Sequence, residues 1–102
     1  MKYIYLMQSQ EDGRYKIGTS KHSPQRVNEL QTGNSSEIKL ISVFQSEYAN
    51  HIERTLQRKY SYARKKGEWF ELYLENEQTF TKDCKEIEAN VMFLKDSNNP
   101  FI

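Results

Sequence analysis

Asp12-Gly13 stands between two short tyrosine-rich segments, and this constrains the fold more than any other feature of the chain. Tyr3-Ile4-Tyr5-Leu6-Met7 alternates weakly and favours extended backbone, and Tyr15-Lys16-Ile17-Gly18 does the same. An Asp-Gly pair between two such runs predicts an antiparallel hairpin. Ser23-Pro24 then predicts a helix start, with serine as cap and proline in the first helical position. Val27, Leu30 and Gln31 continue that helix, and Thr32-Gly33-Asn34 ends it. Ile38, Leu40, Ile41, Val43 and Phe44 read as a third strand.

Tyr48, Ile52, Leu56 and Tyr60 recur every four residues, which predicts a helix from about Glu47 to about Tyr62. Gly67 breaks that pattern, and Glu68-Trp69-Phe70-Glu71-Leu72 follows as a short extended segment. Phe80, Cys84, Ile87, Val91 and Leu94 form the apolar stripe of a last helix, from about Asn76 to Lys95. The order is β-β-α-β-α-(short β)-α. The fold class is α/β in the α+β sense, a small antiparallel sheet with helices packed against it. The chain has 102 residues, the size of one domain, assigned to 1–96 with a frayed polar tail at 97–102.

Composition narrows the function classes. Aromatics at 13% argue against disorder. No apolar run is long enough to span a bilayer, and the opening segment is too short and tyrosine-rich for a signal-peptide core. An intracellular, cytoplasmic protein without a membrane partner is expected. The single cysteine, Cys84, excludes an internal disulfide and a multi-cysteine zinc site, and its place on the stripe marks a buried, inert thiol. Net charge is only +1, but residues 1–66 hold 12 Lys/Arg against 6 Asp/Glu, whereas 67–102 hold 3 against 8. That polarity points to a polyanionic partner for the first part.

The candidate chemistry is that of a phosphodiester. The hairpin brings Tyr5 near Tyr15, Lys16 and Gly18, and Arg26 follows at the start of the first helix. Glu53 has Ala49, Leu56 and Tyr60 as helical neighbours, so its carboxylate is half-turned toward the core and requires a cation or donor. Arg26 can grip a phosphate with two parallel bonds, Glu53 can supply one hard oxygen to Mg²⁺, and Tyr5 can orient or deprotonate a water. Taken singly, each is as readily a rim aromatic, a solvated arginine or a glutamate paired with a nearby lysine. His22, in the loop before Arg26, is within reach of a phosphate or a water, with an exposed loop residue as the plainer reading.

Together these residues resemble the GIY-YIG nuclease superfamily. The likeness runs through Tyr3-Ile4-Tyr5, Lys16-Ile17-Gly18, the stretch from Arg26 to Gly33 read as Arg-x-x-x-Leu-Gln-Thr-Gly, Glu53, and Gly67-Glu68-Trp69-Phe70. It covers residues 3–72 and leaves the last helix outside. It is closest to the branch with Lys-Ile-Gly in the second motif. The resemblance implies a three-stranded antiparallel sheet flanked by helices and a centre that uses one Mg²⁺ or Mn²⁺. It also implies that Tyr5 assists the attacking water, Arg26 stabilises the pentacovalent phosphate and Glu53 binds the metal. Tyr3 replaces the first glycine of the first motif, and Lys16 replaces the tyrosine of the second, with Tyr15 on the opposite side of the strand. Lys16 is then expected to contact phosphate or to lower the pKa of Tyr5. Glu68 stands about where a downstream asparagine falls in other members, and Asn76 lies further on.

Arg54, Arg58, Lys59, Arg64, Lys65 and Lys66 cluster on the second helix and its exit, with Tyr60 and Tyr62 among them. They predict a nucleic-acid footprint that tracks the backbone without reading sequence. The leading expectation is thus a divalent-metal-dependent, weakly sequence-specific DNA endonuclease. RNA stays open as a substrate, and a homodimer is compatible with the sequence. The alternatives are a catalytically degenerate nucleic-acid-binding module and an interaction protein docking through Glu75, Glu77, Asp83, Glu86 and Glu88 of the last helix.

Overall fold

A computed structural model describes residues 2–27, 38–65 and 69–96. Strand β1, Lys2–Ser9, and strand β2, Tyr15–Ser20, form the expected hairpin, with Tyr5 opposite Gly18 and Met7 opposite Lys16. Its turn is closed by Ser9 N–H to the Arg14 carbonyl at 2.9 Å and by Gly13 N–H to the Ser9 carbonyl at 2.9 Å. Asp12 Oδ1 accepts Arg14 N–H at 3.0 Å, and Gly13 takes the left-handed φ of 75° that a side chain would disfavour.

A helical turn covers 24–27, with Ser23 Oγ accepting Arg26 N–H at 3.3 Å. The rest of that helix, including Leu30 and the Gln31-Thr32-Gly33 stretch, lies outside the described residues. Strand β3, Ile38–Ser46, pairs antiparallel with the other side of β1 and carries an irregularity opposite Leu6 and Met7. Helix α1 spans Ala49–Lys59 and is shorter than its periodicity suggested. Ser46 Oγ accepts Tyr48 N–H at 3.0 Å and holds the entry in a turn. At the exit, Tyr60 N–H closes on Leu56 and the chain tightens into a 3-10 turn, Ser61–Ala63. Helix α2, Leu74–Asp96, begins two residues earlier than expected, and Asn76 Oδ1 accepts Tyr73 N–H at its start.

The sheet has four strands, not three. The short segment Trp69–Phe70, β4, pairs antiparallel with β2, giving the order β3-β1-β2-β4. Burying Phe70 beside Tyr15 is what recruits it, since an isolated two-residue strand has nothing to hold it. One face of the sheet carries Ile4, Leu6, Tyr15 and Ile17. Ala49, Ile52, Leu56 and Tyr60 of the α1 region, Phe70, and Phe80 and Cys84 of α2 close over that face. Tyr3, Tyr5, Met7 and Lys16 point to the other face by strand alternation. Among the described residues, no helix is long and apolar enough to cross a membrane.

Candidate functional site

Tyr5 is only 1% exposed although it lies on the face away from the helical core. Its hydroxyl donates to the backbone carbonyl of His22. That bond fastens β1 to the segment that enters the 24–27 helical turn, and Arg26 is four residues further on. Arg26 itself is exposed. The Tyr5 bond thus fixes the backbone four residues before Arg26, and Ser23 Oγ fixes the Arg26 backbone N–H. The contribution of His22 is its carbonyl oxygen, while the residue is exposed.

Burial, and secondarily the neighbouring Tyr3, pushes the Tyr5 phenol above its ordinary pKa. The net direction for Tyr5 is therefore upward, opposite to the lowering expected of Lys16. Its ammonium lies 5.9 Å from the Trp69 ring centre on the adjacent β4, and burial of the phenol decides the direction. Tyr15 belongs to the core. Its hydroxyl donates to Glu77 Oε2 at 2.7 Å, and burial together with that carboxylate raises it to about 12.

Glu53 is half-buried on α1. One turn before it, Asn50 Oδ1 accepts Lys2 Nζ and Thr19 Oγ1, each at 3.4 Å. These bonds dock the first turn of α1 onto the start of β1 and the end of β2. An open cleft of about 390 Å³ lies there, lined by Lys2, Lys21, Glu47 and Asn50. Sequence reasoning passed over Lys2, Lys21 and Asn50. Asn50 carried a usable signal, three residues before Glu53 on the same helical side. The lysines carried none, because their proximity comes from the hairpin register.

The basic cluster divides. Arg54, Arg58 and Arg64 line one open groove of about 290 Å³ with Gln57 and Ser61, and no carboxylate lines it among the described residues. Burial, then Arg54 and Arg58, lower the pKa of nearby His51, which marks this face as cationic. Lys59 instead lies 3.1 Å from Asp83, and Lys65 lies 3.4 Å from Glu71. Those two ammonium groups have carboxylate neighbours, so the charge open to a polyanion is narrower than the sequence cluster. Lys66 and Glu68 lie outside the described residues.

The acidic face of α2 is reduced in the same way. Asp83 is 8% exposed and accepts Tyr60 Oη at 2.6 Å, and Glu77 holds Tyr15. Neither is a free surface acid. Cys84 is fully buried, and burial followed by Asp83 and Glu88 raises its thiol to about 12, which leaves it inert at neutral pH.

The T5orf172 domain model matches residues 2–91. The chain belongs to the T5orf172 domain family. The match extends past residue 72 and takes in most of α2, consistent with Phe80 and Cys84 packing into the same core as the hairpin. T5orf172 membership is compatible with a nuclease-like or DNA-binding module. No curated protein and no solved structure matches the chain significantly.

Proposed function

We propose that this T5orf172 domain is a GIY-YIG-type endonuclease. It hydrolyses phosphodiester bonds in DNA, inside the cell, with weak sequence specificity and with one divalent metal. The observation that supports this most is the bond from Tyr5 to the His22 carbonyl, which ties the phenol to the segment bearing Arg26. The docking of Asn50 on β1 and β2 supports a position for Glu53 near the same end of the sheet.

Among the described residues no group of three or more His, Cys, Asp or Glu gathers, so an all-protein metal cage does not fit. A single carboxylate does suit Mg²⁺ or Mn²⁺ completed by water and phosphate, and Glu53 would be that ligand. The ion, when bound, supplies charge neutralisation on the phosphate. Arg26 donates to the non-bridging oxygens as charge builds on them, and Lys16 adds a second positive charge. The Tyr5 proton is engaged by a carbonyl and its pKa is raised. Its role is therefore to orient the attacking water through an oxygen lone pair rather than to remove a proton.

Supercoiled plasmid incubated with Mg²⁺ or Mn²⁺ should be nicked or linearised. Arg26→Ala and Glu53→Ala should each lower the rate on the order of a hundredfold. Cleavage that persists in both variants rejects the assignment. The same engaged Tyr5 proton, together with Tyr3 and Lys16 in the motif positions, favours a second reading: a degenerate module that holds nucleic acid without cutting. That reading predicts salt-sensitive binding and no metal-dependent product.

A further inference from the structure

Tyr62 is 71% exposed, although it sits in the 3-10 turn Ser61–Ala63 between the buried Tyr60 and Ala63. Two grooves meet at this turn. Ser61 lines the arginine groove, and Tyr62 lines a second one of about 280 Å³ with Asn76, Thr79, Lys82 and Glu86. The two differ in chemistry. The first is lined by the guanidinium groups of Arg54, Arg58 and Arg64, whose planar donor forks suit phosphate. The second is mixed: Asp83 is already engaged by Tyr60 and Lys59, Asn76 Oδ1 accepts Tyr73 N–H and Thr79 Oγ1 donates to the Asn76 carbonyl, while the Asn76 amide nitrogen, the acceptor side of the Thr79 hydroxyl, the Lys82 ammonium and the Glu86 carboxylate also line it. Such a lining suits the neutral donors and acceptors of a base edge better than a phosphate.

From this arrangement we infer that Tyr62 is a stacking platform for an unpaired nucleotide. Its phosphates lie in the Arg54–Arg58–Arg64 groove, and its base covers the Tyr62 ring and turns its edge toward Asn76 and Thr79. The choice of a single strand follows from access. The face of a base inside a duplex is covered by its neighbours, so only an unpaired or terminal base can cover an exposed ring. Aromatic rings beside a cationic track are the usual means of holding single strands without reading sequence. The inference rests on the nucleic-acid reading above and sharpens its substrate class to DNA or RNA with a single-stranded segment.

Fluorescence anisotropy with labelled oligo-dT, oligo-dU, oligo-U and an abasic oligomer, and with relaxed, covalently closed circular DNA as the duplex competitor, tests it. Tyr62→Ala should weaken oligo-dT or oligo-U binding on the order of tenfold and leave the duplex unaffected. Tyr62→Trp and Tyr62→Phe should bind like the wild type, because the ring and not the hydroxyl is used. The abasic oligomer should bind the wild type as weakly as oligo-dT binds Tyr62→Ala. The relative strength of oligo-dU and oligo-U, which share one base, identifies the sugar. If Tyr62→Ala binds every oligomer normally while Arg54→Ala and Arg58→Ala do not, the platform is overturned and the nucleic-acid reading stands. The exposed ring would then fit a protein partner. If the wild type binds no oligomer, both fall.

Discussion

Three buried tyrosines of this chain hold their protons in different company. Tyr15 and Tyr60 donate to the carboxylates of Glu77 and Asp83, while Tyr5 donates to a backbone carbonyl. A carboxylate neighbour opposes phenolate formation by charge as well as by geometry, so burial and the acid act together on the first two. Tyr60→Phe leaves Asp83, 8% exposed, with Lys59 but without its phenol, and should cost about 1–3 kcal/mol in urea unfolding at pH 7. The pH dependence has a definite sign. Tyr15 rises from 10.0 to about 12, Cys84 from 9.0 to about 12, and Tyr60 also rises, so the folded state holds protons that the unfolded state releases first. Their stabilising contribution is complete below about pH 9 and is lost as pH climbs toward 12. The urea midpoint should fall over that range, and less steeply in Tyr60→Phe. Tyr5 and Arg26 were legible as candidates because motif order exposes them. Asp83 was not, because an acid beside an apolar stripe reads as solvated. The partner that buries it, Tyr60, is 23 residues earlier in the chain.

The elements follow from local signals wherever packing agrees with them. Asp12-Gly13 specified the hairpin, and the Phe80, Cys84, Ile87, Val91 and Leu94 spacing specified α2. The fourth strand was less legible. Its two residues carry no periodicity, and only their register with Tyr15 and Lys16 makes them part of the sheet. Helix α2 shows that its stripe, rather than its overall apolarity, is what docks it. Phe80 is fully buried, whereas Phe93 on the same helix is 69% exposed. Phe80→Ala should therefore cost about 3–5 kcal/mol, because it opens a cavity between α2, α1 and the sheet. Phe93→Ala should stay within about 0.5 kcal/mol of wild type. Denaturant midpoints at constant m-value decide this. Equal losses would mean that α2 docks through a different side.

At the scale of the molecule, charge is unevenly distributed even though the net value is +1. The excess of cations before residue 67 was legible by counting, but its useful part was not. Lys59 and Lys65 are answered by Asp83 and Glu71 from the acidic part of the chain, while Arg54 and Arg58 line an open groove with Gln57 and Ser61. A polyanion releases counterions only where a protein cation replaces them, so phosphate-facing residues set the salt slope of binding and internally paired ones contribute less. Arg54→Ala combined with Arg58→Ala should reduce the slope of log Kobs against log salt by roughly 2. Lys65→Ala should change it by well under 1, since its ammonium already faces Glu71. Titrations of one labelled oligonucleotide across a salt series separate the two cases. A slope that drops equally for the arginine and lysine sites, counted per residue, would mean that the whole basic cluster contacts phosphate and that the ion pairs open when nucleic acid binds.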